Sequence, residues 1–322
     1  SISEFMKILV TGVAGFIGFS LTKFLLEKKI KVVGVDNINN YYSVKLKQDR
    51  LNLLKEYKNF KFYQIDLKNE KNLKKVFKDN KFYAVFHLAA QAGVRYSVDF
   101  PRKYIDSNIN GFFNLLEQIK VKKIKKFFYA SSSSVYGESK SFPLKEKSNL
   151  FPTNTYSLSK KFNEDLSAIY NKFYGINAVG LRFFTVYGEW GRPDMFYSKV
   201  LDSAFKNSKL YLNNHGNHSR DFTYIRDVNL ILYNLLKSKK FSGNEILNIC
   251  SNKPLNIIKL VKNIERKSKK IKIYKRKMQK ADVIKTHGDN TKIKKFKLIK
   301  KFTSFDEGIK NTIEWYKKYN SF

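Results

Sequence analysis

The sequence predicts an α/β protein: a doubly wound, mainly parallel sheet with a smaller C-terminal domain interleaved with it. Three observations predict it. Seven short runs rich in β-branched and aromatic residues alternate with amphipathic segments. The first run leads directly into a glycine-spaced turn, TGVAGFIG. After Phe184 the alternation gives way to loops carrying Gly188, Gly191, Pro193 and Gly216, followed by a return near residues 225–250 and a helix-rich basic tail. Strands alternating with helices build βαβ units, and these put helices on both faces of a parallel sheet. The predicted domains are 6–184 plus about 225–253, and 185–224 plus about 254–322. Ser1–Phe5, ahead of Met6, reads as an expression scar.

Taken in chain order, the elements deliver polar groups at strand ends. The first strand, KILVTG (7–12), runs into Gly12, Gly15 and Gly18 and then the amphipathic segment 16–29. Small residues let the turn, and the helix start at Phe16 and Ile17, approach a pyrophosphate. The helix dipole and unpaired N–H groups stabilise its charge. This is a Rossmann-type arrangement. The second strand, KVVGVD (31–36), ends in Asp36-Asn37, with Asp36 placed 18 residues after Gly18. A carboxylate there accepts from both adenosine ribose hydroxyls and repels a 2′-phosphate, so the predicted cofactor is NAD rather than NADP.

The third strand, FKFYQID (60–66), closes on Asp66-Leu67. This is a predicted adenine contact, or an N-cap for the helix that follows. The fourth, YAVFHLA (83–89), continues as HLAAQAGVRYS. Ala89 and Ala90 let backbone approach the cofactor, and His87, inside an apolar strand, reads as a core histidine rather than a base. The fifth, KKFFYAS (125–131), delivers ASSSSVYG, Ala130 to Gly137. Four serines make a poor strand interior but suit a rim lined with hydroxyl donors. Two further strands, 176–184 and 245–250, complete the set.

After the helix-start signals Pro152 and Asn154 comes Tyr156, with Lys160 one turn on. Spacing alone does not mark this pair, because Tyr41/Lys45, Tyr57/Lys61, Tyr136/Lys140 and Tyr233/Lys237 share it. Only the pair at 156/160 opens a helix that follows a serine-lined strand end. A phenol near pKa 10 is a poor base at neutral pH, and a neighbouring cation favours its phenolate. Tyr156 can then take a hydroxyl proton while the carbon yields hydride to a nicotinamide, with a serine hydroxyl relaying or orienting that proton.

Composition excludes other classes. With 322 residues and 43% hydrophobic content the chain can bury a large core. No apolar run approaches the length of a membrane span, and no secretory signal is read. Cys250 is the one cysteine, which excludes an internal disulfide and fits a reducing cytoplasm; with four scattered histidines it offers no metal spacing. The net charge of +36 comes from 54 Lys against 9 Arg, spread along the chain. That reads as lysine-rich solvent faces rather than a nucleic-acid reader, since base readout leans on Arg.

The segments VDNINNYYSVKLKQDRL, AAQAGVRYSVDFPRKYIDSNINGF, SSSSVYGESKSFP, LRFFTVYGEWGRPDM and NHGNHSRDFTYIRDV resemble the extended short-chain dehydrogenase/reductases, and within them the UDP-glucuronate 4-epimerases. The resemblance runs from Met6 to about residue 290. It implies 4-epimerisation of UDP-glucuronate to UDP-galacturonate through a transient 4-keto intermediate. It makes Ser132, Tyr156 and Lys160 catalytic. Gly12, Gly15, Phe16, Ile17, Gly18, Asp36, Asn37, Asp66, Leu67, Ala89, Ala90 and Gln91 become cofactor contacts, with Tyr156 and Lys160. Arg95, Ser132, Ser133, Ser134, Thr185, Arg192, Arg220 and Asp282 fall at the nucleotide sugar, with Arg220 as diphosphate clamp. It also implies a homodimer through helices near 102–119 and 155–174.

Two departures stand out near the C-terminus. The family's Pro-Gly-Asp is Lys280-Ala281-Asp282 here, and its Thr-Tyr-Ala-Asp is Thr286-His287-Gly288-Asp289. At the serine strand, related dehydratases and decarboxylases carry a glutamate just before Val-Tyr-Gly, with an aspartate ahead of it in the dehydratases. Ser133 and Ser134 stand in those places, which leaves hydride return as the fate of the ketone. Thr185, where hexose 4-epimerases usually have Asn, suits a C6 carboxylate. An epimerase of another UDP-sugar, a decarboxylase or a non-enzymatic NAD-binding polyanion binder are the alternatives.

Overall fold

The computed structural model describes residues 6–279 and 282–322. The segment Ser1–Phe5 and the altered pair Lys280-Ala281 lie outside the described residues. In chain order the first half runs β1 (Lys7–Thr11), α1 (Phe16–Glu27), β2 (Lys31–Asp36), α2 (Val44–Lys55), β3 (Phe60–Gln64), α3 (Glu70–Asp79), β4 (Ala84–His87), α4 (Tyr96–Asp99), α5 (Pro101–Tyr104), α6 (Gly111–Val121), β5 (Phe127–Ser132) and α7 (Thr155–Tyr174). The rest is β6 (Ala178–Phe183), β7 (Thr185–Tyr187), α8 (Phe196–Lys206), β8 (Leu210–Leu212), β9 (Ser219–Tyr224), α9 (Ile225–Lys237), β10 (Asn244–Ile249), β11 (Pro254–Asn256), α10 (Ile257–Lys267), β12 (Ile273–Lys275), α11 (Thr291–Lys295) and α12 (Phe305–Tyr319).

The chain divides into two compact units. The first comprises the chain up to Gly137 with Leu150–Arg182 and Leu232–Leu247; the second is Glu138–Asn149, Phe183–Ile231 and Asn248–Phe322. In the first, a seven-stranded sheet has the order β10-β6-β5-β4-β1-β2-β3. β1 pairs in parallel with β2 and with β4, β2 with β3, and β4 with β5. The strand order therefore reverses beside β1. Open α/β sheets bind ligands at the carboxyl ends of the strands flanking such a switch point.

The central strands are apolar on both faces, as a helix-covered parallel sheet requires. Ile8, Leu9, Val10, Ala84, Val85 and Phe86 are all fully buried. All seven expected strands form. The helix expected over 102–119 is instead a broken run. Pro101, which has no N–H to donate, opens α5, and a π-helical turn at Ile105–Asn110 separates α5 from α6. α7 opens on a reciprocal capping box: Asn154 Oδ1 accepts from Ser157 N, and Ser157 Oγ accepts from Asn154 N. It ends on Gly175 in the left-handed region.

In the second unit β9 lies between β7, parallel, and β11, antiparallel. β8 and β12 form a separate two-stranded parallel ribbon. The amphipathic α10 buries Ile257, Leu260, Val261 and Ile264. The return expected near 225–250 begins with the helix α9 and reaches the sheet at β10. Strands of three residues, such as β8 and β11, are too short to show a period in the sequence. Among the described residues no helix is long and apolar enough to cross a membrane.

Candidate active site

The glycine turn packs against itself and against the end of β4. Gly12 has φ 72°, and a Cβ on it would lie 2.6 Å from Ala89 N. One on Gly18 would lie 2.0 Å from Gly12 O. No side chain caps the N-terminus of α1, and its first turn holds no acid, so the backbone at Phe16 and Ile17 presents the positive end of a helix dipole. This is a cradle for a pyrophosphate, and NAD fits it.

Asp36 ends β2 beside that turn. Its Oδ2 accepts from Ala14 N at 3.0 Å and its Oδ1 from Ile38 N at 2.8 Å. Burial pushes the Asp36 carboxyl above its ordinary range, against the pull of these N–H groups and of Lys47 and Arg50. Each oxygen keeps a second lone pair, so two ribose hydroxyls would supply donors to a carboxylate short of them. Asn37 Nδ2 donates to Asp66 Oδ2 at 3.2 Å, tying the ends of β2 and β3 together. Asp66 Oδ1 accepts from Lys68 N, while the cap of α3 is Asn69. The N-cap reading of Asp66 therefore falls to Asn69. Leu67 is buried, and its carbonyl accepts from Asn114 Nδ2 at 3.0 Å.

Behind β4, His87 is buried and bonds Thr11 Oγ1 through Nδ1 at 2.7 Å; burial lowers its pKa to about 3. It is a neutral core histidine. Ala89 N donates to Thr11 Oγ1 at 3.2 Å. Ala90 follows, half-buried. The Gln91 backbone is clamped on both sides by Asn108, which accepts from Gln91 N at 2.8 Å and donates to Gln91 O at 3.1 Å. Arg95, exposed, precedes α4.

Asn108 sits in the π-helical turn, and its Nδ2 also donates to Ser159 Oγ at 3.0 Å; Ser159 Oγ in turn donates to Tyr156 O at 2.7 Å. The loop after β4 and the first turn of α7 are thus joined through one amide. Tyr104, fully buried, packs edge-on against Tyr156 with ring centroids 6.0 Å apart. Lys160, 1% exposed, donates from Nζ to Ala130 O at 2.8 Å and lies 5.8 Å from the Tyr156 ring centre. Burial lowers its pKa to about 8.

Ser132 Oγ accepts from both Ser134 N at 3.1 Å and Ser134 Oγ at 2.9 Å. A hydroxyl has two acceptor sites and one proton, so these bonds leave Ser132 to act as a donor. Ser133 and Ser134 begin the 3₁₀ turn Ser133–Tyr136. Beneath the strand end a buried ion pair fixes α7 to β5 and β6: Arg182 binds Glu164 through two bonds of 2.9 and 2.7 Å, and Glu164 accepts from Ser131 Oγ at 2.5 Å. Sequence reasoning missed Asn108, Tyr104 and this pair. An amide or carboxylate on an amphipathic helix carries no sign of the turn at which it points inward.

The other predicted sugar contacts lie in the second unit. Thr185 opens β7, half-buried, in register with Phe222 of β9. Arg220, two residues earlier on β9, donates from Nη1 to Ser219 O at 2.9 Å and Ile284 O at 3.0 Å. Arg192 is bidentate to Asp194, at 2.9 and 3.0 Å. Burial alone would raise the Asp194 carboxyl, but Arg192 beside it holds it below the ordinary range. Asp282 N donates to Gln279 O at 3.3 Å.

The altered segment Thr286–Asp289 is held by the buried Asp221, whose Oδ2 accepts from Gly288 N at 3.0 Å and whose Oδ1 accepts from Ser251. A Cβ at 288 would lie 2.5 Å from Cys250 Sγ and 2.7 Å from Phe184 Cζ. Glycine in place of the common alanine thus matches this chain's own packing.

The profile of the family described as GDP-mannose 4,6 dehydratase matches residues 9–312. The chain is 43% identical to the UDP-glucuronate 4-epimerase of Thermodesulfobacterium geofontis, over 96% of each chain. It is 38% identical to UDP-glucuronate 4-epimerase 4 of Arabidopsis thaliana, over 98% of this chain and 76% of that one. The Bacillus cereus UDP-glucuronic acid 4-epimerase, solved with UDP-glucuronic acid and NAD, superposes with a TM-score of 0.90 at 33% identity, over 98% of this chain and all of that one. Likeness of this extent in both sequence and fold makes the chain a member of the extended short-chain dehydrogenase/reductase family, in its branch of NAD-dependent nucleotide-sugar epimerases.

Proposed function

We propose that the protein interconverts UDP-glucuronate and UDP-galacturonate by epimerisation at C4. The observation that carries this reading is the turn Ser133–Tyr136, which presents hydroxyls and no carboxylate beside Ser132. Elimination or decarboxylation draws on an acid–base partner there. Without one, the ketone made at C4 is simply reduced again.

The side chains divide the work. Tyr156 takes the proton of the C4 hydroxyl and later returns one. Lys160, anchored on Ala130, holds a cation one turn away that favours the phenolate. Ser132, with its acceptor sites filled by Ser134, aims its own proton at the sugar oxygen. The glycine turn, the start of α1 and Asp36 would hold NAD, with Asn37, Asp66, Leu67, Ala89, Ala90 and Gln91 along it; when bound it supplies the acceptor and donor of hydride at C4. In the second unit Arg192, Arg220 and Asp282 are the proposed diphosphate and sugar contacts, and Thr185 the carboxylate contact.

Incubation of the pure protein with UDP-glucuronate, followed by proton NMR of the sugar, tests the reading. UDP-galacturonate is the expected product. A pentose product with release of CO2 would overturn it in favour of a decarboxylase.

A homodimer is part of the proposal. On α7, Leu158, Phe162, Ile169 and Phe173 form one exposed apolar stripe, 39–68% exposed, and Phe113 on α6 is 44% exposed. Apolar area of this kind supports pairing of the same helices from two copies. A cytoplasmic role supplying a galacturonate donor for polysaccharide synthesis fits the proposed product.

A further inference from the structure

We propose that the basic ribbon of the second unit docks on the surface of a bilayer containing anionic phospholipid. Eight of the twelve residues Arg266–Lys277 are Lys or Arg, none is Asp or Glu, and all eight are exposed. The charge is displayed on an ordered frame. Tyr274 stands in register with Tyr211 where β12 pairs with β8, and the buried Ile271 fastens the strand from behind, its N–H donating to Glu265 Oε1 at 2.8 Å.

Elsewhere the lysine-rich surface is interleaved with acids, in helical pairs such as Lys23–Glu27, Lys45–Asp49, Lys74–Glu70 and Lys161–Asp165. Two acids beside the ribbon are engaged: Glu265 with Ile271, and Asp306 with Lys267 at 2.9 Å. The cations at 269–277 are all exposed, on both faces of the ribbon, with no acid among them.

Apolar side chains share this stretch. Ile273 is 38% and Met278 41% exposed. Clustered Lys and Arg draw a surface towards anionic headgroups, and exposed aliphatic and aromatic groups beside them enter the interfacial layer. A single-stranded nucleic acid is disfavoured because base stacking needs open ring faces. Here Arg276 covers the Tyr211 ring at 3.4 Å, and Lys209 and Lys272 lie 6.0 and 5.7 Å from that of Tyr274.

Vesicle co-sedimentation of the full chain tests this. Binding is expected to vesicles of about 30% phosphatidylserine at about 0.1 M salt, with loss at about 0.5 M and none to pure phosphatidylcholine. The triple variant Lys272→Glu/Lys275→Glu/Lys277→Glu should weaken binding at least about tenfold, with turnover of UDP-glucuronate intact. Reversing Lys28, Lys58 and Lys75 to Glu should change it less than about twofold. Ile273→Ser/Met278→Ser, at constant charge, should weaken it several-fold. Absence of binding, or equal loss from the two triple variants, would overturn the proposal. So would tighter binding to single-stranded RNA that the Ile273→Ser/Met278→Ser variant leaves unchanged.

Discussion

Lys160 Nζ donates to the carbonyl oxygen of Ala130 at 2.8 Å, so a cation beside Tyr156 is buried on the strand that carries the serines. Burial depresses its pKa from 10.5 to about 8. Between those values the unfolded chain binds the proton and the folded one does not, so stability rises with pH across that window. Below pH 8 holding the charge inside costs roughly 3 kcal/mol. Lys160→Met should therefore be more thermally stable than the parent at pH 7, with the gap closing as pH approaches 10.5, while its turnover falls about 10²–10⁴-fold. A gap in melting temperature that does not change with pH would contradict this account.

The Tyr156 hydroxyl and the Tyr156 ring have separable roles. The ring packs on Tyr104, and the backbone carbonyl is fixed by Ser159. Tyr156→Phe keeps both contacts and loses only the hydroxyl proposed as the base. Its turnover should fall at least about 10³-fold at every pH, with the dissociation constant for UDP-glucuronate, by calorimetry, changed less than about threefold. Parent-like turnover would remove Tyr156 from the chemistry.

The sheet was legible because its central strands are continuous apolar runs and the ends of β2 and β5 carry their own polar signatures. Asp36 and the serines follow from position alone. What ties those ends together was not legible. Asn108 acts because a π-helical turn rotates it toward Gln91 and Ser159, and nothing in IDSNIN marks that turn. Asp221 looks like one more acid in RDFTY, yet it is fully buried and organises the Thr286–Asp289 segment. Long-range satisfaction of buried polar groups is decided by tertiary packing, which period and propensity do not record.

The loop carrying Arg192 is braced by α12. Trp190, at φ 63°, packs on Trp315 and Tyr319 with ring centroids 5.3 and 5.1 Å away, and Glu189 binds Arg226 and the Tyr224 hydroxyl. A left-handed tryptophan costs about 1–3 kcal/mol, which stacking at about 0.5–1.5 kcal/mol per ring offsets. Trp315→Ala should let the loop relax and raise KM for UDP-glucuronate about 5–20-fold, with kcat changed less than about threefold. Trp315→Phe should restore most of the loss. A fall in kcat at unchanged KM would separate this loop from substrate binding.

Thr185, the proposed carboxylate contact, is the residue with which to test the fate of the intermediate. Oxidation at C4 of UDP-glucuronate gives a β-keto acid, which loses CO2 when the bond to its carboxyl lines up with the ketone π system. An epimerase must hold that carboxylate out of line while the ring presents its other face. Hydroxyl donors fixed on strands and turns can do so, since a hydrogen bond to a charged acceptor contributes about 1.5–3 kcal/mol. Thr185 opens β7 half-buried, its backbone set by the register with Phe222, and Ser133 and Ser134 are the other candidates. Thr185→Val is nearly isosteric and deletes one donor. It should slow epimerisation about 10–100-fold and raise the share of turnovers that end as the 4-keto pentose and CO2, as mass spectrometry of the products would record. An unchanged rate with no decarboxylated product would take Thr185 out of the site and leave the carboxylate to the serines.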